Sequence, residues 1–483
     1  MSVARAVRGV LCAGIALSLN ACTVGPEYRL PEQAAINSPL ANGQFVSLPD
    51  DSLVAADVPS RWWRLYDDAL LDSLIEDALI SNTDLRIASA SLARSAALLQ
   101  EARSLRQPTV PIEAGLQHGQ VAGEQYLLRI KPPRSTDYEA RIDLGYDLDL
   151  FGAIRRGIEA AGANHEAVAA AQDLVRINVV AGTALAYAGI CAAGLELDTL
   201  QRSLGLQRES LVLIERLRAT GRATDLDVTR ARQIVEQLES DVPLLAGAQI
   251  NALLRLAALT GRVPAQIDPV IADCSSPPRL QQTIPVGDGA ALLRRRPDVR
   301  RAERQLAAAT AQIGVATAQL YPDIQLGASL GSLGLTKDFL TGPTNLWNLG
   351  GIVKWQANQS GARARIAAAN ANAQVALASF DGVVLESLRE TETALNTYIY
   401  DLQREQSLRE ARDEAARAAS DARLLLIGGR ATELAVIDAE RTLVAAEQTL
   451  AQTMATIAYD QIAIFLALGG GWNEDGSSVA SIK

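Results

Sequence analysis

The chain has 483 residues, enough for two to four ordinary domains, and its 48% hydrophobic and 21% charged content excludes a disordered polymer. A net charge of −10 and a pI near 5.0 argue against a nucleic-acid binder, and two histidines with four cysteines leave little room for a metal site built on either. Only one apolar run, at the extreme N-terminus, reads as able to enter a membrane as a helix, which leaves out a polytopic helical membrane protein.

That first run goes from Val10 to Leu19, behind Arg5 and Arg8, and is too short to span a bilayer. It ends in Leu19-Asn20-Ala21-Cys22, which resembles a bacterial lipobox. Residues 1–21 then read as a signal peptide and Cys22 as the lipid attachment residue. An ordinary signal peptide with an incidental cysteine is the competing reading. Each buried methylene of an acyl chain adds about 0.8 kcal/mol, so two or three chains hold a protein firmly. Cys191, in an Ala-rich helical stretch, and Cys274, in a Pro-rich connector, could pair in an oxidising periplasm, but read more readily as free thiols.

The remainder is written twice. Asp84-Leu85-Arg86-Ile87-Ala88 matches Asp298-Val299-Arg300-Arg301-Ala302 at an offset of 214, and Gly221-Arg222-Ala223-Thr224-Asp225-Leu226 matches Gly429-Arg430-Ala431-Thr432-Glu433-Leu434 at 208. Each copy reads helix, strand, strand, very long helix, tight turn, long helix. The first helix is predicted from Leu71 to Arg106 and its repeat from Ala290 to Leu320, stopped by Pro108 and Pro322.

Strands are predicted at 109–117, 138–149, 323–331 and 346–356. Ile112, Ala114 and Leu116 alternate with polar neighbours, as do Ile142, Leu144, Tyr146 and Leu148 with Asp143, Gly145 and Asp147. Such a strand belongs either to a soluble sandwich, with its charged face in water, or to an outer-membrane barrel, with its apolar face in lipid. The periodicity leaves both open. Between the strands and each tight turn lie some 65 residues without proline, a helix of roughly 100 Å at 1.5 Å per residue. The returning helices carry heptad seams: Val228, Ala231, Val235, Leu238 and Val242 in the first, Val436, Ala439, Leu443, Ala446 and Leu450 in the second. Pro243 is expected to kink the first of them.

The resulting plan is a signal peptide 1–21, a lipidated segment and collar 22–70, a first repeat 71–262 with its tip near 221–226, a linker 263–289, a second repeat 290–469 with its tip near 428–434, and a tail 470–483. Four strands cannot close a barrel, since the smallest have about eight. Lipid does not tolerate open edges, so several copies must pool strands, and three would give twelve.

Several motifs now stand together: Cys22-Thr23-Val24-Gly25-Pro26-Glu27-Tyr28, Trp62-Trp63, Tyr146-Asp147-Leu148-Asp149-Leu150-Phe151-Gly152, Arg295-Arg296-Pro297-Asp298-Val299 and the two Gly-Arg-Ala-Thr turns. In these the chain resembles the TolC-like outer-membrane efflux factor family, lipoprotein branch (OprM/NodT type), over essentially its whole mature length. The resemblance implies a mostly α fold with a small antiparallel β part. It implies a homotrimer with a shared twelve-stranded β-barrel in outer-membrane lipid, continued by a coiled-coil α-barrel. The partners it implies are a periplasmic adaptor and an inner-membrane pump, of RND type; no cofactor, metal or nucleic acid is expected. Gly221, Arg222, Ala223, Thr224 and Asp225, with Gly429, Arg430, Ala431, Thr432 and Glu433, would dock the adaptor. Leu434 and Asp438 would form the periplasmic gate, and Asp227 and Arg230 would link hairpins when it closes. The chain departs from the family at Trp355-Gln356-Ala357-Asn358-Gln359-Ser360-Gly361, where a Pro-rich Gly-Gly turn is usual, so the exit of the fourth strand needs another explanation.

The expected function is therefore a passive channel exporting small molecules such as drugs and toxic organics. A channel for metal ions or for type I protein secretion is the alternative, and a soluble coiled-coil scaffold a more remote one. His118 and His165 lie on different elements without triad or ligand spacing, so no enzyme is expected.

Overall fold

The computed structural model describes residues 23–47 and 50–470. The signal segment 1–21, Cys22 and tail residues 471–483 lie outside the described residues. In chain order the elements are β1 (Leu53–Val54), α1 (Ala69–Ser81), α2 (Thr83–Ser104), β2 (Ile112–Gly119), β3 (Ser135–Leu148), α3 (Ala153–Ala219), α4 (Asp225–Leu259), β4 (Ile284–Pro285), α5 (Gly289–Arg295), α6 (Pro297–Ala318), β5 (Asp323–Leu335), β6 (Asn345–Lys354), α7 (Ser360–Ile427) and α8 (Glu433–Ala467). The chain is mostly helical with one small antiparallel sheet.

Two breaks correct the sequence reading. The first predicted helix is two helices, because Asn82 leaves the helical backbone and its Oδ1 accepts from the amides of Asp84 and Leu85, capping the second. The Asn82 amide also donates to the Leu259 carbonyl at 2.9 Å. In the repeat the break falls at Arg296, whose ψ of 120° follows from the proline after it. Helix α4, by contrast, runs unbroken through Pro243.

The contacts divide the chain into two compact units. One, made of residues 23–31, 92–168 and 301–380, holds the sheet, in the order β2-β3-β5-β6 with every neighbour antiparallel. Its ladders reach past the predicted strand ends, to Gly119↔Ser135 between β2 and β3 and to Asp137↔Leu335 between β3 and β5.

The other unit, of residues 32–91, 169–300 and 381–470, holds most of the buried core. Trp62 stacks on Phe465 at 4.7 Å, and Trp63 donates to Asp72 at 2.7 Å. Along the hairpins the seams pack in small clusters: Val235 and Leu238 with Leu200, Leu204 and Val444, then Val228 and Ala231 with Ile214 and Ile437. The structure corrects the cysteine reading as well. Cys191 and Cys274 are disulfide-bonded, because the connector after α4 folds back onto α3. Gly194 allows it, since a Cβ there would stand 2.1 Å from the Cys274 carbonyl oxygen.

Apolarity by itself does not separate membrane-spanning helices from packed ones in this chain. Helices α3, α4 and α8 each contain a stretch long and apolar enough to cross a membrane. In α3 and α8, 61% of that stretch is buried within the protein, so its alanines and leucines serve helix packing.

Candidate channel wall and helical tips

Residues paired across antiparallel strands share a face, so the register sorts the sheet into two surfaces. One carries the rows Ile112–Ile142–Leu330–Trp347, Leu144–Ala328–Leu349 and Leu148–Ile324–Val353. It is exposed: Trp347 and Leu349 are each 78% accessible, and Ile112 is 73%. Among the described residues nothing covers this apolar surface, and a soluble sandwich would require a partner sheet there.

The opposite face carries Glu113–Arg141, Asp143–Ser329–Asn348 and Asp147–Gln325. Arg141 is held by Asp143 at 2.8 Å, Glu113 at 2.9 Å and Glu139 at 3.5 Å. Gly145, Gly327 and Gly350 lie side by side on three strands, leaving a band of that face without side chains. An apolar outside and a polar, charged inside is the pattern of a barrel wall in lipid.

The two helical hairpins turn on the Gly-Arg-Ala-Thr motifs, and each residue type has a local reason. Gly221 and Gly429 take the left-handed conformation, with φ of +74° and +67°, that ends a helix. The amides behind them return to the helix: Arg222 to the Leu217 carbonyl and Arg430 to that of Leu425, both at 2.8 Å. Thr224 and Thr432 then cap the returning helices. At the first tip Asp227 completes a capping box, accepting from the Thr224 amide at 2.9 Å. Those hydrogen bonds, with Arg230 nearby, hold its carboxyl below the usual range. Asp227 is thus engaged within its own turn. At the second tip the equivalent position is Ala435, so the two tips differ in charge as well as in capping.

The predicted gate residues lie one turn apart on the exposed stripe of α8. Leu434 is half exposed, and Asp438 is exposed beside Arg441 at 3.5 Å. Val436, Ile437, Glu440 and Val444 form the buried stripe of the same helix. Of the docking residues, Arg222, Thr224, Asp225, Arg430 and Thr432 are exposed, Ala223, Ala431 and Glu433 half-buried, and Asp225 pairs with Arg218.

The family model for outer membrane efflux proteins matches residues 74–262 and 290–470. The chain belongs to that family. It is 29% identical to nodulation protein T of Rhizobium leguminosarum bv. trifolii, over 95% of this chain and 96% of that one. It is 29% identical to the cation efflux system protein CusC of Escherichia coli O6:H1 (strain CFT073), over 95% of this chain and 98% of that one. Among solved structures, the outer-membrane channel OprN is similar with a TM-score of 0.87 and 33% identity, over 93% of this chain and all of that one. This outer membrane efflux protein is accordingly an efflux channel of the outer membrane and not an enzyme. Its histidines make simple polar contacts, His118 with Thr136 and His165 with Ser95, both at 2.8 Å.

The efflux protein's other motifs find structural uses that spacing did not reveal. Arg295 donates to the Leu468 carbonyl and Arg296 to that of Ala467, so the Arg-Arg-Pro-Asp motif closes the C-terminal end of α8. Burial pushes the Arg295 guanidinium down to about 10. The unusual turn at 355–361 is explained too. Asp149 caps α3 by accepting from the amides of Ile154 and Arg155, and Asn358 does the same for α7 by accepting from the Ser360 amide. Trp355 and Gln359 both donate to the Leu320 carbonyl, at 3.1 and 3.0 Å, fixing the exit of β6 without a Gly-Gly turn.

Proposed function

We propose that three copies of this chain pool their sheets into one twelve-stranded barrel. The assembly is a passive conduit for small organic molecules, handed over by a periplasmic adaptor from an RND-type inner-membrane pump. The observation that carries this reading is the sheet itself. Among the described residues its apolar face is uncovered, and its edge strands β2 and β6 each pair on one side only. An open edge in lipid costs several kcal/mol per unpaired group, so the edges must meet those of other copies.

The N-terminal segment supports Cys22 as the lipid-bearing residue. Thr23–Tyr28 is tied to the joint between β3 and α3: the Val24 amide donates to the Phe151 carbonyl, and Arg156 donates to the carbonyls of Val24 and Gly25. Gly25, at φ +90°, lies so close to Gly314 that a Cβ would stand 2.4 Å from its Cα. The described chain thus begins, at Thr23, where the sheet passes into helix, which in this reading is one face of the membrane.

The tips at 221–225 and 429–433 dock the adaptor in this reading, and three copies of Leu434 and Asp438 narrow the periplasmic end. A ring of carboxylates there selects for cations. Metal-ion export is the second reading, favoured by the relative named for cation efflux. Single-channel recording of purified protein in planar bilayers tests the conduit, wild type beside Asp438→Ala. Small cation-selective events that grow, or lose selectivity, in the variant are expected. Protein that is soluble without detergent and silent in the bilayer overturns the channel. Solvent and copper tolerance, measured in a strain lacking its own channels but supplied with a matching pump and adaptor, separates the two substrate classes.

A further inference from the structure

The loops between β2 and β3 and between β5 and β6 lie at the end of the sheet away from the starts of α3 and α7. The first departs from the rest of this acidic chain, with three cations against Glu124, while in the second Lys337 stands beside Asp338. Residues 127–134 read Leu-Leu-Arg-Ile-Lys-Pro-Pro-Arg, with no carboxylate. Only four lysines occur in the chain, and two of them, Lys131 and Lys337, fall in these two loops. Arg129, Lys131, Arg134 and Lys337 are all exposed. Arg129, Lys131 and Arg134 enter none of the ion pairs found among the described residues.

The same loops present apolar side chains outward. Leu127 is 94% accessible and Ile130 69%, with Phe339 and Leu340 each at 59%. Leu127 and Leu340 stand at φ of 58° and 60°, a left-handed conformation that a leucine adopts only at a cost. The first loop is nonetheless folded. Gly123 lets the chain close, since a Cβ there would stand 2.0 Å from the Ile130 carbonyl oxygen, and the Leu128 amide returns to the Gly123 carbonyl at 3.0 Å. Tyr138 accepts from the Leu340 amide at 2.7 Å and packs on Phe339, which fixes the second loop.

We propose that these two loops form a docking surface for the phosphate-bearing lipid headgroups of the outer leaflet. Arg129, Lys131, Arg134 and Lys337 pair with phosphate, while Leu127, Ile130, Phe339 and Leu340 rest against the adjoining acyl chains. Cations interleaved with exposed apolar side chains suit such an interface and no purely aqueous one. The proposal rests on the channel reading, which puts this end of the sheet at the outer surface.

The probe is lipid A. Full-length protein is reconstituted in phosphatidylcholine vesicles carrying a minor fraction of lipid A, re-extracted, purified, and assayed for the lipid A retained per chain. Wild type is expected to retain it, and raised salt to lower the amount. The variant R129Q/K131Q/R134Q is expected to retain roughly a hundredfold less, from three losses of about fivefold each, whereas R129K/R134K behaves as wild type. Equal retention by the glutamine variant overturns the proposal. So does wild-type protein that enriches lipid A no more than phosphatidylcholine. Conductance of the same preparations in pure phosphatidylcholine bilayers reports on the channel separately, so a silent channel counts against the barrel and not against the loops.

Discussion

Cys191, fully buried in α3, is disulfide-bonded to Cys274 in the connector that follows α4, across a sequence separation of 83 residues. The bond ties down a segment with little regular structure, which Ile271 and Leu280 also anchor in the core. Closing a loop of that length in the unfolded chain is worth about 4.5 kcal/mol in the chain-entropy account. The variant C191A/C274A should therefore unfold at a distinctly lower temperature than wild type without reductant. Reductant should bring wild type down toward the variant only after unfolding exposes the bond. Alkylation of the unfolded, unreduced protein should find neither thiol; labelling of both would contradict the pairing.

Asp460 of α8 faces Asp401 of α7, and one of its carboxylate oxygens is buried without a hydrogen-bond partner. Burial, with the Asp401 carboxyl beside it, pushes Asp460 up from 3.8 to about 7. The folded protein thus holds a proton that the unfolded chain releases near pH 4. That grip stabilises the fold in acid, weakens as pH rises from about 4 to about 7, and is gone above that. Asp460→Asn keeps the shape and removes the charge. It should raise the melting temperature most at about pH 8, raise it less at about pH 5, and leave it little changed below about pH 4, where both wild-type states are protonated. A variant that tracks wild type across the range would show that the two carboxyls do not share the proton.

Glu405 is 5% exposed and holds Arg279 through two hydrogen bonds, at 2.6 and 2.7 Å, with Arg409 a turn further on. Burial works against its charge, but the two guanidinium groups outweigh it and keep the carboxyl below its usual value. Arg279 belongs to the same connector as Cys274, so this pair is a second clamp on that segment. Glu405→Ala leaves a half-buried guanidinium without its partner and should cost about 3 kcal/mol in denaturant unfolding. Glu405→Gln should cost less. A loss within a few tenths of a kcal/mol for the alanine variant would mean that water replaces the carboxylate fully.

How much of this could be read from the sequence follows from the range of the signals. Heptad seams at Val228–Val242 and Val436–Leu450, alternation at Ile142–Leu148, and the Gly and Thr of both tips are local patterns, and the fold class rests on them. The partners of Cys191, Asp460 and Arg296 are set by how distant segments meet, and no periodicity encodes that. The break at Asn82 carried no proline; an asparagine followed by Thr-Asp within a helical stretch was the available sign. Pro243 does not end α4, because a proline deletes one hydrogen bond but need not terminate a helix already packed on both sides of it.

Leu349 and Asn348 are neighbours on β6 that belong to opposite faces of the sheet, Leu349 paired with Ala328 and Asn348 with Ser329. If the apolar face meets lipid, an arginine at 349 must enter the hydrocarbon, at about 2–4 kcal/mol near the midplane. An arginine at 348 instead joins the polar face that already holds Arg141, Asp143 and Gln325. Leu349→Arg should therefore sharply reduce the amount of protein recovered in outer-membrane fractions, and Asn348→Arg should leave it near wild type while shifting ion selectivity toward anions. The two substitutions add the same side chain at adjacent positions, so general intolerance of arginine would reduce both alike. Recovery lost for 348 and kept for 349 would require the sheet to face the other way, with its charged surface outward.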